Sequence, residues 1–221
     1  MNWQLAGESL GSLAWGAVTG TIPLTLLSFA FGLVLALFVA LARLSTLPVL
    51  PRIGQFYVSI IRGTPLLVQL FIIFYALPLV GVMLPPFPSA VIAFSLNVGG
   101  YAGETIRGSI LAVPTGQWEA AATVGMDYWT TLRRVVLPQA FRVAVPPLSN
   151  TFISLVKDTS LASVVMVTEL LRRAQEVATP TYDFLTMYTT AALFYWALCT
   201  PLSIAQTWLE KRLSRNLVNA S

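Results

Sequence analysis

The sequence predicts an all-α membrane protein with five transmembrane helices. Hydrophobic residues make up 56% of the 221 residues and charged residues only 10%, and the mean hydropathy of +0.75 is too high for a soluble globular protein. Long uncharged runs also recur along the chain, and about 20 apolar residues are enough for one helical crossing. Residues 1–221 are therefore predicted to form a single transmembrane domain.

The first three helices are predicted from the places where charge is absent. No charged residue lies between Glu8 and Arg43, and the apolar run before Arg43 is long enough for one crossing. The uncharged stretch between Arg62 and Glu104 is too long for one crossing, so it is divided at the proline-rich turn "LPLVGVMLPPFPS". These boundaries predict helices over 17–42, 53–79 and 87–111.

A polar stretch over 114–138 separates these helices from the last two. Apolar sequence then resumes near Val143, and the charged group Lys157-Asp158 interrupts it, so the fourth helix is predicted to be broken. The fifth helix occupies the apolar run between Asp183 and Glu210. The two helices are predicted over 143–168 and 184–209, and the placement of residues 169–183 is left open.

The orientation follows from the Lys and Arg residues of short connections, which accumulate on the cytoplasmic side. One side of the predicted bundle collects Arg43, Arg52, Arg62, Arg107, Arg133, Arg134, Arg142, Lys211, Arg212 and Arg215. The other side has Arg172 and Arg173, which Glu169 and Glu176 can pair at i,i+3 and i,i+4 spacing. The first side is therefore cytoplasmic, which puts the N-terminus outside and both the C-terminus and the loop over 114–138 in the cytoplasm.

This cytoplasmic loop is predicted to be a helical hairpin. Thr115 can cap a first helix, strong helix formers follow, and Gly125 can end that helix. A second helix is predicted to start near Asp127 and to end or kink at Pro138, which has no backbone N–H. From physical chemistry alone, such a hairpin would lie on the membrane surface with its apolar side inward.

The spacing within the loop resembles the EAA loop of ATP-binding-cassette importer permeases. The pattern of that family is Glu-Ala-Ala, three residues, Gly, nine residues, Ile, any residue, Leu-Pro. This chain has the same spacing at Glu119, Ala120, Ala121, Gly125, Val135, Leu137 and Pro138, with Val135 in place of Ile. The stretches "RGTPLLVQL", "YAGETIRGSI", "GQWEAA" and "SLVKDTSLAS" are similar to the polar amino acid subfamily of these permeases, so the resemblance covers nearly the whole chain.

The resemblance implies the MetI-like type I importer permease fold and a function as the permease subunit of an ATP-driven importer for a polar amino acid, with cystine as the first expectation. It implies that the loop is a coupling helix that docks on the ATPase, through Glu119, Ala120, Ala121, Gly125, Leu137 and Pro138. The implied partners are ABC ATPase subunits that bind ATP and Mg, a second permease copy or close paralogue, and an extracytoplasmic substrate-binding protein. The implied location is the lipid bilayer of a bacterial plasma (inner) membrane.

Polar residues of the third predicted helix are candidates for the substrate pathway. Asn97, Tyr101 and Glu104 follow i, i+4, i+7 spacing and so share one face. A helix-packing seam is the alternative, and Gly99 and Gly103 support it because they allow close backbone approach. The two interpretations stay open for the amide and the phenol, whereas a carboxylate within the membrane favours function.

The fourth predicted helix adds Lys157 and Asp158 to the candidate pathway. Each ion would cost about 2.5–3.5 kcal/mol at the centre of a helix unless it is paired or hydrated. Mutual neutralisation is one explanation, and a polar pathway is the other, because broken helices in a bilayer normally line a cavity or are buried in protein. An amino acid substrate carries both charges, which suits this pair.

Several function classes are excluded or disfavoured. The sequence has no Gly-x4-Gly-Lys-Ser/Thr phosphate loop and no histidine, so we expect no enzyme, no cofactor and no metal site in this chain. The basic residues are scattered in small groups between apolar segments, which disfavours nucleic acid as a partner. Two alternatives remain beside the importer, namely a non-transporting membrane scaffold and an ion-coupled carrier.

Overall fold

The computed structural model describes residues 2–214, and within this range the chain forms helices and no strand. In chain order the helices are α1 (Trp3–Leu44), α2 (Val49–Gly63), α3 (Leu66–Val80), α4 (Pro86–Leu111), α5 (Thr115–Thr123), α6 (Tyr128–Val165), α7 (Leu170–Thr181) and α8 (Phe184–Ser214). The all-α class predicted from the sequence is therefore confirmed. Arg215, one of the basic residues that indicated the orientation, lies outside the described residues.

Helix α1 begins much earlier than the predicted start at residue 17. Asn2 is its N-cap residue, and the side-chain oxygen of Asn2 accepts a hydrogen bond from the Leu5 amide at 3.2 Å. The helix then continues through a π turn over Ala17–Thr21. The predicted start thus coincides with a change of helical winding inside one longer helix.

Within residues 2–214, three helices contain a π turn, and each π turn ends two residues before a proline. The turns Ala17–Thr21, Ile72–Ala76 and Leu132–Val136 precede Pro23, Pro78 and Pro138. A proline ring clashes with the carbonyl four residues earlier, and in each case that carbonyl belongs to the π turn. The wider turn makes room for the ring, so the helix can continue. Of the two outcomes predicted at Pro138, an end or a kink of the second hairpin helix, the end is not observed, because α6 runs on through the proline with a π turn before it.

Helices α2 and α3 meet at a bend of 105°, so the second predicted helix over 53–79 is in fact two helices. Thr64 at the bend has an extended backbone with φ −123° and ψ 147°. The ring of Pro65 disfavours the helical conformation for the residue before it, which explains this geometry. Apolar composition does not report the direction of the backbone, so hydropathy alone could not show the bend.

Helix α4 lies at the centre of the fold and packs against α1, α2, α3 and α6. Its glycines permit this close packing. A Cβ atom on Gly100 would lie 2.6 Å from the Ile61 side chain of α2, and one on Gly103 would lie 2.9 Å from the Val39 side chain of α1. Small residues at such contacts let membrane helices approach each other's backbones. The packing seam that Gly103 indicated in the sequence is therefore present.

Helix α6 changes its winding directly after Asp158. The α-helical part over Leu137–Asp158 is followed by a 3₁₀ segment over Thr159–Val165. Met166 then adopts a left-handed backbone with φ 64°, and the chain turns by 47° into α7. The predicted interruption corresponds to this change of winding, which places the charged pair at the carboxyl end of the α-helical part.

Residues 169–183, whose placement the sequence left open, form α7 and its flanking turns, and α7 packs against α1 and α8. Glu169 is fully buried and is the N-cap residue of α7. Its carboxylate accepts hydrogen bonds from the Leu171 amide at 2.9 Å, the Arg172 amide at 2.6 Å and the Tyr195 hydroxyl of α8 at 2.6 Å. This buried carboxylate ties the start of α7 to α8.

The ion pairs of α7 differ from the predicted ones. Glu176 pairs with both arginines of the helix, since one carboxylate oxygen lies 3.6 Å from Arg172 Nε and the other 3.0 Å from Arg173 Nη1. The predicted pairing of Glu169 with these arginines was wrong. A carboxylate at an N-cap position binds backbone amides, whereas the arginines extend to the exposed side of the helix, where Glu176 lies.

Among the helices of residues 2–214, α1 alone is apolar enough by length and composition to cross a membrane. The pair α2 and α3 and the pair α6 and α7 meet the same criterion when each bent pair is taken as one span. Helices α4 and α8 have 26 and 31 residues, which is long enough for a crossing, but they are more polar. The fold is consistent with five crossings, and the exact number stays a prediction.

The tight contact between Gly20 and the start of α7 can be tested. A Cβ atom on Gly20 would lie 2.6 Å from Glu169 Cα and would also collide with the Thr168 carbonyl oxygen. Because these are backbone atoms, we expect Gly20→Ala to lower the free energy of unfolding by about 1–3 kcal/mol, measured as a lower melting temperature in detergent. Gly11→Ala is the matched control, since no atom lies within 4 Å of its Cβ position. Equal melting temperatures for the two variants would contradict the contact.

Candidate functional site

A cavity of about 420 Å³ opens between α3, α4 and α6. This volume is in the range typical of small-molecule sites. Its wall carries amide, hydroxyl and carboxylate groups, although 56% of the residues of the chain are hydrophobic. The polar residues that line the cavity are Thr64, Asn97, Tyr101, Asn150, Thr151, Ser154 and Asp158.

Gln69 shapes one wall of the cavity. Its side chain is buried, and its amide nitrogen donates to the Ile61 carbonyl at 2.8 Å and to the Thr64 hydroxyl at 3.0 Å. Its amide oxygen accepts from Asn97 Nδ2 at 3.2 Å. One side chain therefore joins the end of α2, the start of α3 and the middle of α4, and it holds the bend that forms the wall.

The structure brings together three of the residues that the sequence selected. Asn97 and Tyr101 lie one turn apart on α4, as their i, i+4 spacing indicated, and both line the cavity. Asp158 lines the same cavity from α6. The bond between Asn97 and Gln69 also shows that this amide serves packing, so the two interpretations left open for it are compatible.

The other two candidates lie outside the cavity lining. The Glu104 carboxylate accepts from Arg43 Nη2 at 3.3 Å and from Arg107 Nε. The pair with Arg43 joins α1 to α4, whereas Arg107 and Glu104 lie three residues apart on α4. A partly buried pair between two helices stabilises their contact. Lys157 is exposed beside Asp158 and does not line the cavity. A pathway role for Glu104 and Lys157 stays a prediction.

Sequence reasoning missed several lining residues that carried a detectable signal. Asn150, Ser154 and Asp158 follow i, i+4, i+8 spacing, so they lie on one face of α6 and form a polar stripe. Of this stripe, only Asp158 was among the residues predicted for the substrate pathway. Thr64 could not be found in the same way, because its position depends on the bend before Pro65.

The hairpin formed by α5 and the start of α6 has the predicted order of elements. Gly125 at the turn has φ +78°, a left-handed backbone that glycine adopts without strain. Asp127 is the N-cap residue of the second arm, and the neighbouring Thr130 side chain lowers the pKa of its carboxyl group. Thr115 is the first residue of α5 instead of its cap, because Pro114 already provides the extended backbone before the helix.

The candidate coupling residues divide into an exposed group and a buried one. Glu119, Ala120 and Gly125 are exposed, whereas only 5% of Ala121 is exposed. Ala121 therefore packs within the hairpin and does not offer a docking surface. Next to the exposed group, Trp129 is 72% exposed, which gives the hairpin an apolar outer surface.

Leu137 and Pro138 lie where the hairpin continues into the long part of α6. They follow the π turn Leu132–Val136, and both side chains are exposed. Below them, the buried Val136 packs with Val113 in a small core that also contains Ala140. The last two positions of the EAA pattern thus set the winding at the junction between the hairpin and the membrane helix.

Comparison with known proteins gives one family and close relatives. The family described as "Binding-protein-dependent transport system inner membrane component" matches residues 32–215. The L-cystine transport system permease protein TcyB of Bacillus subtilis (strain 168) is 59% identical over 214 residues, which cover 96% of this chain and 92% of the relative. The glutamine transport system permease protein GlnP of Escherichia coli (strain K12) is 34% identical and covers 96% of this chain and 97% of its own length.

Solved structures show the same architecture. The crystal structure of an amino acid ABC transporter with histidines contains a chain that matches with a TM-score of 0.91 and 32% identity, over 96% of this chain and 99% of that chain. An inward facing structure of the MetNI methionine ABC transporter matches with a TM-score of 0.74 and 23% identity, over 91% and 96%. The second likeness concerns the fold alone.

The role of Gln69 can be tested by removing its amide. We expect Gln69→Leu to destabilise the protein by about 1–3 kcal/mol, because the buried carbonyl of Ile61 and the amide of Asn97 would lose their partner. The change is measured as a lower melting temperature in detergent. Gln55→Leu is the matched control, since Gln55 is exposed on α2. A melting temperature as high as that of the control would show that the bend does not depend on this side chain.

Proposed function

Because the chain belongs to the family of binding-protein-dependent transport system inner membrane components, we propose that it passes a polar amino acid through an ATP-driven importer as its permease subunit. The family match and the relatives confirm the resemblance that the EAA loop indicated. A permease is a transport component and not a catalytic protein. The observation that carries the proposal is the polar cavity, which gathers Asn97, Tyr101 and Asp158 inside an apolar chain.

Cystine is the substrate that we favour among polar amino acids. The relative that is 59% identical is named as an L-cystine transport system permease. The chemistry of the cavity agrees with an amino acid, because the Asp158 carboxylate can accept hydrogen bonds from an ammonium group. The Asn97 amide and the hydroxyl group of Ser154 can donate to carboxylate oxygens.

The hairpin is the coupling element of this proposal. Glu119, Ala120 and Gly125 form the surface that contacts an ABC ATPase subunit, and their exposure leaves them free to do so. Glu119 can accept a hydrogen bond from a basic group of the ATPase. ATP and Mg bind to the ATPase subunits, so this chain needs no cofactor of its own. Ala121, Leu137 and Pro138 act indirectly by holding the shape of the hairpin and its junction with α6.

The complete importer contains further chains. A second permease copy or a close paralogue lies beside this one in the bacterial inner membrane, and an extracytoplasmic binding protein delivers the substrate. The N-terminus lies outside and the C-terminus in the cytoplasm, as the distribution of Lys and Arg indicates. The permease alternates between two conformations, and nucleotide on the ATPase subunits favours one of them.

The coupling role of the hairpin is tested by uptake into liposomes that contain the chain with its ATPase and binding protein. We expect Gly125→Val to reduce ATP-dependent uptake of labelled cystine by more than about tenfold, because a β-branched residue does not tolerate a positive φ and the turn must change. Gly116→Ala on α5 is the matched control, since its Cβ position is open. Equal uptake by the two variants would remove the hairpin from the coupling mechanism.

The same assay separates the importer from its rivals. A stable complex that takes up no labelled polar amino acid would support a membrane scaffold. Uptake that continues without ATP and stops when an uncoupler is added would support an ion-coupled carrier.

The role of Asp158 is tested by removing its charge. We expect Asp158→Asn to raise the apparent KM for cystine by about tenfold or more, because a charge-assisted hydrogen bond to the substrate ammonium group is lost. The measurement is the dependence of ATP-driven uptake on substrate concentration. Glu8→Gln, which changes an exposed acid of α1, should leave the KM unchanged. A KM equal to that of the control would exclude a contact between Asp158 and the substrate.

A further inference from the structure

Arg62 lies beside the cavity, although its sequence position suggested only a charge on the cytoplasmic side. It is in the last turn of α2, two residues before the lining residue Thr64. Its guanidinium carbon lies over the ring of Tyr101, 5.4 Å from the ring centroid. Tyr101 itself lines the cavity, so a permanent positive charge rests against part of the cavity wall.

The depth of Arg62 is unusual for a topology signal. Tyr101 precedes the end of α4 at Leu111 by ten residues, which corresponds to about 15 Å along the helix axis. Ile61, the neighbour of Arg62, packs against Gly100 at the same level. The bend between α2 and α3 therefore places the guanidinium well inside the length of a predicted membrane helix. A charge at such a position usually belongs to a substrate path.

The charge of Arg62 is also not used by the structure. In the part of the chain that the structure describes, the ion pairs of the central helices join Glu104 to Arg43 and Arg107, and no ion pair includes Arg62. Its contact is the aromatic face of Tyr101, which is weaker than a pair with a carboxylate. Tyr101 is 41% exposed, so a ligand can reach the place where the two side chains meet.

We propose that Arg62 binds the carboxylate group of the transported amino acid, while Asp158 binds its ammonium group from α6. This inference rests on the proposed function and adds a specificity residue to it. The planar guanidinium can form two parallel hydrogen bonds to a carboxylate and can keep one face on the Tyr101 ring. The cavity then presents opposite charges from α2 and α6, which matches a zwitterion and disfavours an amine without a carboxylate.

The inference is tested by direct binding to the permease and ATPase complex in detergent, without the binding protein, so that selection by another chain does not enter. The probes are labelled cystine and, as competitor, cystamine, which lacks both carboxylates of cystine. We expect Arg62→Gln to weaken cystine binding by at least about tenfold and cystamine binding by much less, so that the preference for cystine is lost. Arg62→Lys should restore part of the preference, because it restores the charge without the planar fork.

Arg52→Gln is the matched control, since Arg52 is an exposed arginine of the same helix, and it should bind cystine as the wild type does. Equal losses for cystine and cystamine in Arg62→Gln would overturn the inference and show a structural role. Unchanged binding of both compounds would overturn it as well. A wild-type complex that neither binds nor takes up any polar amino acid would instead overturn the proposed function itself, and it would be recognised before any variant is compared.

Discussion

The side-chain amide of Gln69 is the interaction on which the site depends. A bilayer offers no water to the backbone groups that a sharp bend leaves unpaired, so the bend needs a side chain that supplies the missing partners. Gln69 does this by donating to the backbone carbonyl groups of Ile61 and Thr64, and its oxygen at the same time accepts from Asn97 and orients it. Without the bend, α2 and α3 would form one straight helix, Thr64 would not line the cavity and Arg62 would not lie over Tyr101 beside it.

The prolines of this chain have a related effect on helical winding. Each π turn inserts about one extra residue into the α-helix around it. The side chains after the turn are therefore rotated by about 100° about the helix axis. At Pro138 this rotation decides which side of the hairpin is presented relative to the membrane helix. Proline in these helices therefore acts on orientation and not only on helix ends, and at Pro138 it accompanies a change of winding in a helix that continues.

The sequence predicted an element of the fold correctly where one physical effect determined that element. Uncharged runs predicted α4 and α8 closely, helix formers with a glycine between them predicted the order of the hairpin elements, and the fixed spacing of the EAA loop predicted the family. It was uninformative where position depends on tertiary contacts. The bond from Tyr195 to Glu169 and the cavity that Thr64 forms with α4 and α6 join residues that are distant in the chain. The i, i+4, i+8 spacing of Asn150, Ser154 and Asp158 predicts that they share one face of a helix. Of these three residues, only the charged Asp158 was among the predicted site residues.

The unequal apolarity of the helices bears on how the chain enters the membrane during synthesis. Helix α1 can partition from the translocon into lipid unaided, whereas α4, with Glu104 and Arg107 within it, is less apolar. Much of the surface of α1 packs on α4, so α1 offers α4 a partner when α4 leaves the translocon. Arg43 of α1 can then pair with Glu104 of α4. Because α1 precedes α4 in the chain, its packing surface is already present when α4 is synthesised, and the less apolar helix can enter the membrane against it.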